Sequence, residues 1–384
     1  MHRVLHVISG LGPGGAQAVL ARLIAATDAS WQHAVISLVD DGATEHGISA
    51  RAAVHGMNIT GIGSLPGCSW RLRSIARQFA PTVIQGWMYH GNLAASWCGF
   101  MAHGRVPVAW NIRHSPQGLS YHGWATRLVV QANTLLSKHA AAIVFNSMQS
   151  RQAHERMGFC STQSRVIANG FDTGRLAPCE HLRAEWRRNA AIPPGAFVFG
   201  HAARLHPVKN HAGALRAFAM HAANFPNAWL VMVGQDVDDT AAELAAIAAL
   251  PGCKGRVLLL GKESNMPAFY NGIDCLVLSS WAEGMPNVIG EAMACAKPCI
   301  TTDVGDAALL VGGSGWIVKT ADVDLAEAMR AAHCMSSTEL NELSRMARQR
   351  IVKDCSLAAM VDQYSRLYDS LCNDNMACAA HGHK

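Results

Sequence analysis

Glu283 and Glu291 lie within Trp281-Ala-Glu-Gly-Met-Pro-Asn-Val-Ile-Gly-Glu-Ala-Met-Ala-Cys-Ala-Lys-Pro298, the stretch of this chain richest in chemical information. An apolar run, Ile273-Asp-Cys-Leu-Val-Leu278, leads into it and predicts a buried strand. Ser279, Ser280 and Gly284 break that strand. Pro286 sits where a helix can begin, because the first turn needs no proline N–H. The residue types then predict a helix over 287–296, ended by Lys297-Pro298. The segment reads as strand, loop and helix, with one carboxylate in the loop and one on the helix. A helix N-terminus with free amides suits a phosphate, and Gly284, Met285, Pro286, Asn287 and Val288 form that entry. Carboxylates repel phosphate but accept hydrogen bonds from sugar hydroxyls. Amides for a diphosphate beside carboxylates for hydroxyls describe a nucleotide-sugar site.

A cationic counterpart stands upstream. Arg204-Leu-His-Pro-Val-Lys209-Asn210 follows the strand-like run Phe197-Val-Phe-Gly-His-Ala-Ala. Arg204 and Lys209 at the carboxyl end of a strand predict a clamp for a diphosphate, where charge develops as a nucleoside diphosphate departs. Gly10-Leu-Gly-Pro-Gly14-Gly15 follows the first strand and precedes a helix, so its backbone can approach an anion closely. No acidic residue after it is placed for a ribose, and a tight turn without ligand explains it equally well. Gln235 and Lys262 end two later strands, where a base pocket would lie. His114, in Trp110-Asn-Ile-Arg-His-Ser, and His90, in Tyr89-His-Gly-Asn, both end strands of the first half and compete for one role. Arg113 is a candidate for an acceptor phosphate.

These residues need a scaffold of about two domains, since 384 residues exceed one. Half the residues are hydrophobic and 15% are charged, which excludes disorder. No apolar run reaches the length of a membrane helix, and the N-terminus enters a strand pattern directly, so a cytoplasmic protein is expected. The twelve cysteines form no C-x-x-C pair and read as buried thiols. His381-Gly-His383 and Asp236-Val-Asp238 are weak metal signals, the latter reading as a solvated turn, and no metal site is expected.

Strand and helix patterns alternate through the first half. They restart after Asn169-Gly-Phe-Asp172, which predicts two α/β units with parallel sheets and ligands at the carboxyl ends of the strands. The expected bounds are 1–172 for an acceptor-side domain, 173–355 for a nucleotide-sugar domain, and 356–384 for a final helix and polar tail. Residues 1–170 carry 13 Lys+Arg against 5 Asp+Glu, a net of +8, whereas residues 171–384 net −3. A basic first half suits membrane headgroups or a lipid-linked diphosphate. It lacks the interleaved aromatics of a nucleic-acid surface, so no nucleic acid is expected. Arg71, Arg73 and Arg77 are the best candidates to face an inner-leaflet surface.

The block around Glu283 resembles the signature of the retaining glycosyltransferases of family 4, E-G-x-P-x-x-x-x-E-A-M-A-x-G-x-P. Glu283, Gly284, Pro286, Glu291, Ala292, Met293, Ala294 and Pro298 match it, and Ala296 replaces the usual glycine. Arg204 and Lys209 match the family's R-L-x-x-x-K motif, Asn169-Gly-Phe-Asp172 its domain-junction motif, and Gly14-Gly15 its glycine-rich loop. Asp306 replaces a glycine of the family pattern.

The resemblance implies a GT-B fold, two doubly wound Rossmann-like domains facing a cleft, with the final helix returning to the first. It implies a hexosyltransferase that moves a sugar from a nucleoside-diphosphate sugar, UDP-linked, with retention and without a metal. The acceptor it implies is a glycan or lipid-linked glycan of cell-surface polysaccharide or lipopolysaccharide synthesis. By resemblance Glu283 holds the sugar, Glu291 the ribose, Arg204 and Lys209 the diphosphate, and His114 the donor sugar. Two other readings stay open. One is a non-catalytic sugar-nucleotide-binding subunit of a polysaccharide assembly complex. The other is a nicotinamide-dependent oxidoreductase built on the glycine loop.

Overall fold

The computed structural model describes residues 2–12, 14–40, 47–59, 65–102, 106–113 and 124–381. Contacts divide the chain into two units, Met1–Gly170 with Leu357–Lys384, and Phe171–Ser356. The first junction falls two residues before the expected one, and the second unit ends at Ser356 rather than 355.

The first unit holds β1 (His2–Ile8), β2 (Trp31–Ser37), β3 (Ala52–Gly56), β4 (Val83–Trp87), β5 (Val108–Ile112), β6 (Ala142–Phe145) and β7 (Ser164–Val166). All are parallel, in the order β3-β2-β1-β4-β5-β6-β7. Helices cover both faces, which explains the unbroken apolar runs in the sequence. On β1, Val4 and Ile8 point into one core, with Leu20, Leu23, Trp87, Tyr364 and Tyr368. Leu5 and Val7 point into the other, with Ile36, Leu72, Ala95 and Cys98. The tyrosines belong to the final helix, Leu357–His381, so this last element completes the core around the first strand.

The second unit holds β8 (Phe197–Ala202), β9 (Ala228–Val233), β10 (Val257–Leu259), β11 (Cys275–Leu278), β12 (Cys299–Thr302) and β13 (Gly315–Val318), again all parallel, in the order β10-β9-β8-β11-β12-β13. Its core gathers Phe199, Leu215, Phe218, Leu230, Met232, Val277, Ile300 and Met329. In each unit the strand order reverses direction between two central neighbours, β1 and β4 in the first, β8 and β11 in the second. In open α/β sheets the carboxyl ends at that switch are where ligands bind.

Several sequence expectations need correction. β3 was not anticipated. The final helix runs from Leu357 to His381, through most of the stretch expected to hold a polar tail. The helix expected over 287–296 ends at Ala294. Ala296 adopts φ 56°, the left-handed conformation common just past a helix, and the amides of Ala296 and Lys297 close back onto Met293 O and Ala292 O at 2.9 Å each. The glycine usual in the family at this position would relieve that strain.

Candidate functional site

The switch point of the second unit brings together the loops after β8 and β11. Lys209 Nζ donates to Glu283 Oε1 at 2.6 Å, both side chains being largely buried. Ser280 Oγ donates to the same carboxylate oxygen at 2.8 Å. Trp281 N bonds Val208 O at 2.8 Å and Asn210 Nδ2 bonds Ser279 O at 3.2 Å, so the two loops are joined through the backbone as well. Arg204 lies exposed at the start of the first loop and makes no ion pair among the described residues.

Three further loops abut this pair. Leu205 N donates to Gln235 O at 2.8 Å, and Gly234 N donates to Gly261 O at 2.7 Å, so the ends of β8, β9 and β10 are in register. Gly234 is obligatory here: its φ is 152°, and a Cβ would lie 1.8 Å from Ala203 O. Lys262 is exposed on the loop after β10. After β12, Asp306 N donates to Gly284 O at 2.8 Å. Asp306 therefore ties its loop to the Glu283 loop through its backbone, where the family glycine was missing.

The helix Asn287–Ala294 follows directly. Pro286 is its N-cap residue and offers no capping side chain, and the first turn of the helix carries no acid. Glu291 lies a turn further on, its Oε2 accepting from the Tyr270 hydroxyl at 2.9 Å. Met285 and Pro286 are buried, whereas Asn287 and Val288 are half-buried.

Ser280 and Tyr270 were not picked out by sequence reasoning. Ser280 stands three residues before Glu283 and was read only as a strand breaker. Tyr270 comes from a separate helix, Met266–Gly272, and nothing local signals its partner.

In the first unit, Gly14 is the N-cap of the helix Gly15–Ala26, which likewise has no side-chain cap and no acid in its first turn. Asp40 Oδ2 accepts from Leu11 N at 2.6 Å and so braces the glycine loop from β2's end. His90 is exposed in the first turn of the helix Met88–Met101. Arg113 follows β5, with Nη1 3.3 Å from Asn111 Oδ1 and its guanidinium 5.5 Å from the Trp87 ring centre. His114 lies outside the described residues, as does the end of the His381-Gly-His383 tail. Asp238 accepts from Thr240 N at 3.0 Å in an exposed turn. Every described cysteine is free, and no group of three metal-binding side chains occurs among the described residues.

Both units match known families. The family model "Glycosyltransferase Family 4" matches residues 13–175, and "Glycosyl transferases group 1" matches residues 196–334. The putative glycosyltransferase EpsF of Bacillus subtilis is 24% identical over 78% of this chain and 79% of its own. The UDP-Gal:alpha-D-GlcNAc-diphosphoundecaprenol alpha-1,3-galactosyltransferase of Escherichia coli is 28% identical over 53% of each chain. The chain spans about half the length of some of the curated relatives it matches. Among solved structures, HepE of Anabaena, in complex with UDP and glucose, superposes with a TM-score of 0.82 at 20% identity, over 96% of this chain and 100% of that one. Sucrose-phosphate synthase of Thermosynechococcus elongatus gives 0.76 at 18% identity, over 96% and 98%. These likenesses show the fold, two Rossmann-like units of the GT-B kind. With both units matched in order along the sequence, the chain belongs to the family 4, group 1 glycosyltransferases.

Proposed function

We propose that this protein is a retaining glycosyltransferase that takes a sugar from a UDP-sugar and passes it to a hydroxyl of a lipid-linked glycan. The observation that carries this reading is the cluster at the β8–β11 switch: Lys209 on Glu283, exposed Arg204, and the acid-free first turn of the helix behind Pro286. Binding the donor exchanges the internal Lys209–Glu283 pair for two external ones. Lys209, Arg204 and the helix amides take the diphosphate, and Glu283 turns to the sugar hydroxyls. Glu291, oriented by Tyr270, takes the ribose. As the bond from the anomeric carbon to the phosphate breaks, charge grows on the leaving oxygen, where the cations stabilise it. That oxygen takes the proton of the acceptor hydroxyl, which attacks from the same face, so configuration is retained. His114 is assigned to the donor sugar, with His90 as its competitor.

The UDP donor has two supports. The E. coli relative is named for UDP-galactose and a diphosphoundecaprenol-linked acceptor, and HepE was solved with UDP and glucose. The protein's own cations meet the diphosphate charge, so no metal is needed. A panel of labelled UDP-sugars should contain one that the protein hydrolyses, at a rate EDTA leaves unchanged. Loss of activity with EDTA and its return with magnesium or manganese would overturn the metal-free assignment. UDP binding without any turnover would favour the non-catalytic subunit.

A lipid-linked acceptor places the enzyme at a membrane. No helix among the described residues is long and apolar enough to cross one. Between Glu45 and Glu155 there is no Asp or Glu, while nine Lys and Arg fall in that stretch. Three of its helices expose large aromatic side chains: Trp70 on Leu65–Phe79, Trp97 and Phe100 on Met88–Met101, and Trp124 on Trp124–Leu136. Trp70, Arg73 and Arg77 share one helix face around a recess of 600 Å³, whereas Arg71 is engaged with Gly56 O at 3.0 Å. Each basic residue near an anionic bilayer contributes about 1 kcal/mol, screened by salt. Vesicle sedimentation should show binding to anionic liposomes that falls as salt rises and falls again when Arg73 and Arg77 become Gln. Equal binding to neutral and anionic vesicles would remove the membrane claim.

A further inference from the structure

Two buried histidines lie beneath the loop that carries Lys209. His201 sits on β8, and His211 opens the helix His211–Ala222; they are 1% and 3% exposed, with ring centres 4.6 Å apart. Their hydrogen bonds fix their tautomers. Ser279 Oγ lies 3.0 Å from Lys209 O and 2.9 Å from Asn210 O. Carbonyl oxygens only accept, so the single hydroxyl proton of Ser279 goes to them. At the 3.3 Å contact between His201 Nε2 and Ser279 Oγ, the histidine must therefore donate. His211 Nε2 lies 3.1 Å from Ala203 O and must donate as well. Both Nδ1 atoms are then bare, and both are buried without a partner. Neutral rings suit such a site. Burial holds both histidines below their ordinary value, and for His201 the neighbouring His211 and Lys209 push the same way.

The three bonds fall on chosen places of one loop. His211 holds Ala203, directly before Arg204, and the His201–Ser279 relay holds the carbonyls of Lys209 and Asn210. We propose that His201 and Ser279 are positioning residues: the relay from His201 Nε2–H through the Ser279 hydroxyl to the Lys209 carbonyl fixes the backbone from which Lys209 reaches Glu283. The catalytic consequence rests on the transferase reading above; the geometric one does not.

Three variants separate the roles. His201→Leu keeps bulk and removes the donor. His201→Gln restores an N–H close to the place of Nε2. Ser279→Ala deletes the relay with the smallest change of volume and serves if His201→Leu fails to fold. Hydrogen exchange is read on the 204–210 and 279–284 segments, and kcat and KM on the UDP-sugar that the wild type hydrolyses. His201→Leu and Ser279→Ala should speed exchange in both segments about tenfold. They should lower kcat about 10- to 100-fold, with KM changed less than about threefold. His201→Gln should return both readouts most of the way to wild type. Equal behaviour of the Leu and Gln variants, or unchanged exchange in all three, would overturn the proposal. A wild type that cleaves no nucleotide sugar would count against the transferase reading, and exchange would still decide the relay.

Discussion

Lys209→Met should lower kcat for donor cleavage by about 10²- to 10³-fold, the cost of removing one preorganised charge from a developing oxyanion. Of the two cations assigned to the diphosphate, Lys209 is the one held by an acid of the protein itself, 2.6 Å from Glu283. Arg204, exposed and without an acidic partner among the described residues, has no such anchor. The fold should survive, because Ser280 Oγ still donates to the Glu283 carboxylate at 2.8 Å. Steady-state kinetics on the cleaved UDP-sugar, with thermal melts run in parallel, provide the check. A stably folded variant within about threefold of wild type would remove Lys209 from the diphosphate.

The largest stability effect is expected at the opposite, amino-terminal edge of the same sheet. Asp274, just before β11, receives Arg183 Nη2 on Oδ1 and Arg187 Nη2 on Oδ2, both at 2.7 Å, and Val198 N at 2.8 Å. Arg187 also reaches the carbonyls of Gly272 and Ala196, and Arg183 those of Asn271 and Ile273, so the helix Glu180–Asn189 is fastened to the sheet around this carboxylate. Lys297 is a third cation close by, its ammonium brought down to about 8 by burial and by Arg183, against the pull of Asp274. Asp274→Asn keeps the shape and leaves three cations without their counter-charge. Breaking a buried pair from one side costs about 3–5 kcal/mol, which for a unit of this size lowers Tm by roughly 6–20 °C. The pH dependence has a definite sign. Burial raises the carboxyl of Asp274, and Arg187 and Arg183 pull it down further, to a net value below the ordinary one. The stabilisation is therefore complete above the unfolded-state value and is lost as pH falls through the lower folded one. Melts of wild type and Asp274→Asn should differ widely at pH 7 and converge in strong acid. Curves that stay parallel down to pH 2 would contradict the assignment.

The doubled α/β architecture was legible because strands covered on both faces are written as apolar runs, as in Val4–Ile8 and Cys275–Leu278. β3 escaped notice because it is an edge strand, Ala52-Ala-Val-His-Gly56, mostly half-buried and with no such run. The end of the helix after Pro286 was misplaced because Ala296 favours helix by type while its neighbours hold it left-handed. Within the site, Glu283, Lys209 and Arg204 stood out through their local motifs. His201, Ser279 and Tyr270 did not, since each matters through a partner distant in sequence: His201 bonds Ser279, and Tyr270 bonds Glu291. Spacing within one segment cannot reveal a contact made by folding.

The placement of the final helix has a consequence for synthesis. Residues 171–356 form one uninterrupted unit, whereas the unit that begins the chain also needs Tyr364 and Tyr368, which pack around its first strand. At about 5–20 residues per second, the ribosome takes roughly 10–40 s to pass from the end of the first segment to the middle of that helix. Over this interval the later unit is made in full while the earlier one still lacks a wall of its core. Of the two units, the one begun first is thus the one finished last. Until the final helix emerges, its apolar interior and its long acid-free stretch are open to chaperones, and a chain truncated after Ser356 would leave that wall permanently missing.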